Sequence, residues 1–210
     1  EVYVYDAANG ATLATCAPSS LNEFGNFLND VTVRDGVLYV TDSVNGKLMT
    51  LDADHVLDTG ECEVGEVDLP TPFEPTEKDD FGANGVASYA DGLLVSHEID
   101  GSVWYISLDS PPTSEQIIAN GEVLGADGLT IQGNRLYVTQ NTPSTNRVAV
   151  YQLNKVAGTV SATFSGVLTS TDFAGPATST VFGGYVYSTN SQFFDDPTVE
   201  NVVAVKISDL

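Results

Sequence analysis

Residues Asn29–Asp52, NDVTVRDGVLYVTDSVNGKLMTLD, run through a short apolar segment, a Gly turn, a β-rich run ending on a polar residue, a second turn and another apolar strand. The phrase recurs as NGVASYADGLLVSHEIDGSVWYISLD from Asn84, ADGLTIQGNRLYVTQNTPSTNRVAVYQLN from Ala126 and PATSTVFGGYVYSTNSQFFDDPTVENVVAVKI from Pro176. A strand-only repeat of this period, with no helical spacing between copies, is the pattern of propeller blades. The expected fold is therefore all-β: one β-propeller domain over residues 1–210 with at least four blades of four antiparallel strands. The blades are placed near 25–69, 81–118, 125–168 and 175–207, as part of a five- or six-bladed disc.

Outward from the repeat, Val37–Thr41, Leu93–Ser96, Leu136–Thr139 and Tyr185–Thr189 are β-branched or aromatic runs that each follow a Gly turn, and they read as second strands. Third strands follow at Lys47–Leu51, Val103–Leu108, Val148–Leu153 and Val202–Ile207, and weaker outer strands at Glu63–Leu69, Glu115–Ile118 and Thr159–Leu168. Asn45-Gly46 and Asp100-Gly101 are read as hairpin turns, because both residue types tolerate positive φ. No long amphipathic helix is expected. Segment 70–82, with three prolines, reads as a surface loop between blades, and Gln140–Asn146 and Gln192–Glu200 as insertions within blades. His55, in DADHVLD, is expected to be solvated.

Twenty-nine acidic residues face seven basic ones, a net charge of −22. Such a field repels nucleic acid and anionic membrane, and no apolar run is long enough to insert, so neither is an expected partner. The scattered acids read first as a solvated shell suited to extracellular or cell-surface conditions, and second as a field that gathers divalent cations. Cys16 and Cys62 are the only cysteines and have no zinc spacing; a disulfide and two independent buried thiols both remain open. The chain opens on a strand at Glu1 without Met, which reads as a processed or incomplete N-terminus. Residues 1–16 are accordingly expected to give strands to an incomplete first blade, completed by another polypeptide or a cleaved segment.

Two columns carry the candidate chemistry. Aligned on Tyr39, Tyr137 and Tyr187, the repeats place Asn29, Asp127 and Ala177 at the start of the innermost strand, and Asn84 joins them with a one-residue insertion before its Gly turn. Strand starts surround a propeller axis, so Asn29, Asn84 and Asp127 form a hard-oxygen set suited to Ca²⁺ and less well to Mg²⁺. Asx-turns are the plainer reading of the same residues. The second column, Asp42, Glu98, Gln140 and Asn190, follows YVT, VSH, YVT and YST, and reads either as turn chemistry or as pocket lining. His97 beside Glu98 is an acid/base candidate, with simple packing as its alternative. Nucleophile elbows, P-loops, dinucleotide fingerprints and HExxH motifs are absent from the sequence.

The starts NDVTV, NGVAS and ADGLT, each followed by a Gly turn and a YVTD-like strand, resemble the six-bladed calcium-dependent lactonases of the senescence marker protein/gluconolactonase family. YVYSTNSQF at Tyr185–Phe193 resembles the last blade of bacterial and fungal relatives, and the YVTD and YVTQ strings are also similar to YVTN-repeat surface propellers. The resemblance implies an axial Ca²⁺ held by Asn29, Asn84 and Asp127, with Asp127 as general base. The family's fourth ligand, a Glu of the first blade, has no counterpart in this sequence.

Two functions follow. One is a secreted, acidic propeller acting as an extracellular binding or assembly module with an axial calcium site. The other is a calcium-dependent lactone or ester hydrolase, in which a small-molecule ligand sits over the metal while Asp127 activates water.

Overall fold

The computed structural model describes residues 1–18, 25–74, 81–109, 112–142, 144–191 and 201–210. The insertion expected at Gln192–Glu200 and part of segment 70–82 lie outside them. The chain divides into two compact units, 1–86 and 87–210. The fold is a β-propeller built from successive antiparallel sheets, each formed by neighbouring strands in chain order.

The first unit opens with a hairpin, β1 (Val2–Tyr5) and β2 (Thr12–Cys16), followed by a four-stranded sheet of β3 (Leu28–Arg34), β4 (Val37–Asp42), β5 (Lys47–Asp52) and β6 (Val64–Asp68). Ala14 and Cys16 of the hairpin cluster with Val40, Met49, Leu51 and Val56 of the sheet and its connection, with Val2 and Val4 against them. Burying side chains as large as Met49 or Leu51 is worth about 1.5–3 kcal/mol each. A Cys16–Cys62 disulfide ties the hairpin to this sheet.

One connection departs from the expected loop. Ala53–Thr59 forms α1, with the Asp52 side chain accepting from the His55 N–H and Gly60 in the left-handed conformation after its last turn. Both signals are ordinary helix caps. His55 is half-buried rather than solvated, and its Nε2 is enclosed with no hydrogen-bond partner among the described residues.

Strand β7 (Ala83–Tyr89) crosses the boundary and edges a sheet with β8 (Gly92–His97), β9 (Ser102–Ser107) and β10 (Ser114–Ile118). The second unit continues with β11 (Ala126–Gln132), β12 (Arg135–Thr142), β13 (Thr145–Val156) and β14 (Thr159–Leu168). It ends with β15 (Pro176–Phe182), β16 (Tyr185–Asn190) and β17 (Val202–Lys206). This last sheet has three strands among the described residues, not the expected four.

The Gly turns are tight because they join strands with no spare residue. Arg34 pairs Val37 across Asp35-Gly36, and Phe182 pairs Tyr185 across Gly183-Gly184, all four turn residues having positive φ. The Asn45-Gly46 and Asp100-Gly101 turns are wider than expected. Asp42 pairs Lys47 and His97 pairs Ser102, so each loop holds four residues and only its glycine has positive φ. A Cβ on Gly46 would also lie 2.7 Å from the Phe73 carbonyl oxygen. No helix among the described residues is long and apolar enough to cross a membrane.

Candidate functional site

The strand starts are built alike in each unit. In the first, Asn29 is exposed on β3 and donates from Nδ2 to Ser43 Oγ at 3.2 Å. Ser43 Oγ in turn donates to the Ala83 carbonyl at 2.5 Å, and Thr41 Oγ1 to the Asn84 carbonyl at 2.6 Å. Asn29 and the buried Asn84 thus head neighbouring strands joined by two hydroxyls.

In the second unit the half-buried Asp127 heads β11. Its Oδ2 accepts from Asn141 Nδ2 at 2.6 Å, and its carbonyl accepts from Ser96 Oγ at 3.1 Å. The following Gly128 has a steric reason: a Cβ there would lie 2.8 Å from the Thr178 Cα. Among the described residues no three of His, Cys, Asp and Glu gather as a metal cluster.

A carboxylate outside the expected set lies beside Asn29. Asp30 Oδ1 accepts from the Val31 N–H at 2.8 Å, and Oδ2 from the Val86 N–H at 2.9 Å. Burial raises its carboxyl above the ordinary value, against the lowering effect of those two N–H groups. The sequence signal was the ND pair itself, read only for its first residue.

Strand register corrects the second column. Val37 pairs Asp52 and Gly92 pairs Ser107; five residues later Asp42 pairs Lys47 and His97 pairs Ser102. His97 is therefore the equivalent of Asp42, and Glu98 that of Ser43. The insertion expected after Asn84 is absent as well. Asp35, Ala90, Gly133 and Gly183, all with positive φ, each lie six residues after Asn29, Asn84, Asp127 and Ala177 respectively.

In this corrected column the polar groups pin loops. Asp42, 3% exposed, accepts from Asn26 Nδ2, Asn45 Nδ2 and the N–H groups of Phe27 and Val44. Gln140 Nε2 donates to the Leu124 carbonyl at 2.9 Å while Oε1 accepts from Arg147. Asn190 accepts from the Ala174 N–H and donates to the Asp172 carbonyl. His97 Nδ1 accepts from the Asp100 N–H at 3.3 Å across its own turn. Asp42, Gln140 and Asn190 each hold the segment that leads into their own sheet.

No family model and no curated protein matches the chain. Solved structures do match. Hydrazine synthase of Kuenenia stuttgartiensis superposes with a TM-score of 0.62 at 15% identity, covering 93% of this chain and 49% of that one. A 6-phosphogluconolactonase assigned as such only provisionally, from Bacteroides uniformis, gives 0.60 at 14% identity, with 95% and 59% covered. The periplasmic gluconolactonase of Pseudomonas aeruginosa gives 0.55 at 16%, with 87% and 55% covered. The chain spans about half to three-fifths of these proteins. At such identities the likeness is one of fold.

Proposed function

We propose that this chain is an extracellular binding or assembly module of β-propeller fold that takes up Ca²⁺ at its strand starts without turning over a substrate. The observation that carries this reading is the fate of the second column. Asp42, Gln140 and Asn190 each use polar groups to hold the segment that leads into their own sheet, and His97 Nδ1 accepts from the Asp100 N–H, which supports a structural role for this column. The Cys16–Cys62 disulfide supports an oxidising, extracytoplasmic location, and one fold neighbour carries a periplasmic name.

The calcium reading rests on the repeat column of Asn29, Asn84 and Asp127, whose side chains carry hard oxygen donors. Calorimetry tests it. Calcium at millimolar concentration should release heat and raise the melting temperature, because a ligand bound by the folded state stabilises it. Asp127→Asn should weaken both effects. Absence of heat in the unmodified protein would remove the cation.

Calcium-dependent lactone hydrolysis is the second reading. It is supported by Asp127, held by Asn141, and by the lactonase names among the fold neighbours. It requires Asp127 to activate water beside the metal.

A further inference from the structure

Strand β14 ends the order of its sheet, so its outer side carries N–H and C=O groups that no strand among the described residues pairs. The sheet has all four of its strands, so this edge belongs to a complete blade. Native edges are blunted by shortness, charge, proline or a bulge. The other outer strands follow that rule: β6 has five residues with Glu66 and Asp68, and β10 has five with Glu115. By contrast β14 has ten residues, with no charge and no proline. Its one device is a bulge, where Tyr151 pairs Phe164 but Val150 pairs Gly166. Past the bulge the strand is covered, since a Cβ on Gly166 would lie 3.4 Å from the Leu210 Cγ. The open, regular run is therefore Thr159–Phe164, TVSATF. Val160 and Ala162 pack on the core cluster, whereas Thr159, Ser161 and Thr163 are exposed. Phe164 is 57% exposed, its ring T-shaped to Tyr151 at 5.5 Å.

Charge selects the occupant. From Gly128 to Thr171 the chain has no Asp or Glu, although it has twenty-nine in all, and this stretch holds Arg135, Arg147 and Lys155 of its seven basic residues. A basic partner would be drawn to the acidic remainder instead. A second copy, itself at −22, is repelled by that remainder and can approach where the acids are missing. Lys155, opposite Val160, is paired with Asp91 and so adds no repulsion of its own.

We propose that two copies of this chain join edge to edge through Thr159–Phe164, antiparallel about a twofold axis, so that their two sheets become one. Main-chain hydrogen bonds hold the pair, each copy supplying the same strand. The axis stands normal to the joined sheet and keeps the exposed faces of both strands on one side. Ser161 and Thr163 then lie opposite or diagonal to the same residues of the second copy. The inference rests on the assembly reading and names its partner.

Sedimentation velocity of the full chain over a range of protein concentrations, in chelator, tests it. A monomer–dimer equilibrium is expected, strengthening by about tenfold from low to physiological salt because screening relaxes the repulsion between two acidic chains. Amide exchange at Thr159–Phe164 should slow in the dimer. Ser161→Lys or Thr163→Lys, each at an exposed site, should abolish the dimer while leaving the unfolding midpoint of the dilute chain unchanged. Mixing Ser161→Lys with Ser161→Glu should restore a mixed pair. A chain that stays monomeric at millimolar concentration, association that Ser161→Lys leaves intact, or protection elsewhere than β14 would overturn the proposal. Association that weakens with salt would overturn it too, since that is the sign of basic groups docking on the acidic surface. None of these outcomes alters the calcium response of Asp127, so the two readings fail separately.

Discussion

Asn141 donates to Asp127 Oδ2 at 2.6 Å, and Asn29 donates to Ser43 at 3.2 Å; in both pairs fourteen residues separate the partners. The residues after Asp42 and Gln140 therefore orient the residues at the start of their first strands. Asn141, 5% exposed, makes a bond of the charge-assisted kind. Asn141→Ala should lower stability by about 1.5–3 kcal/mol, read from urea unfolding. It should also weaken the calcium response, since Asp127 loses its tether.

Tyr137 makes the opposite case. Its ring is fully buried among Val148, Val150, Leu168 and Phe173, yet its hydroxyl has no partner among the described residues. An unsatisfied buried hydroxyl costs free energy, so Tyr137→Phe should leave stability unchanged or raise it by up to about 1 kcal/mol. A clear loss in thermal unfolding would mean that the hydroxyl is bonded.

Two carboxylates should shape the acid limb of stability in opposite directions. The Lys155 ammonium, and then the Tyr105 hydroxyl, hold Asp91 down from 3.8 to about 2. A depressed carboxyl adds stability above its unfolded value, lost as pH falls from 3.8 towards 2. Asp30 is raised by burial, so its contribution is full below 3.8 and is lost as pH rises through its folded value. Melting temperature against pH should show a shallower acid limb in Lys155→Met and a steeper one in Asp30→Asn. Unchanged limbs in both variants would contradict the assignment.

The disulfide closes a loop between residues 46 apart. Reduction, or the Cys16→Ala/Cys62→Ala pair, should cost the first unit about 2–4 kcal/mol. Free-thiol labelling before and after reductant, alongside urea unfolding, checks the bond and its worth together.

The strands were legible because β-branched runs and Gly turns are local signals; Thr159–Leu168 of β14 agrees with its expected limits residue for residue. The short helix α1 was not, since seven residues give too little apolar period, although Asp52 and Gly60 mark its two ends. Residue spacing alone puts Glu98 in this column because LLVSH lacks the tyrosine that anchors the other copies, whereas strand pairing places His97 there. Ser43 and Asn141 were missed for a different reason. Their role depends on which side chains meet across a bulged strand start, and the register shifts between Leu28 and Val31 and between Ala126 and Leu129 are invisible in residue spacing.

Lactone turnover tests the central claim most directly. The chain, loaded with calcium, is presented with gluconolactone-type substrates, and acid release is followed at constant pH beside Asp127→Asn. A binding module predicts the uncatalysed rate from both proteins, with and without calcium. Calcium-dependent turnover that disappears in Asp127→Asn would contradict the account and make the strand-start column a hydrolytic centre.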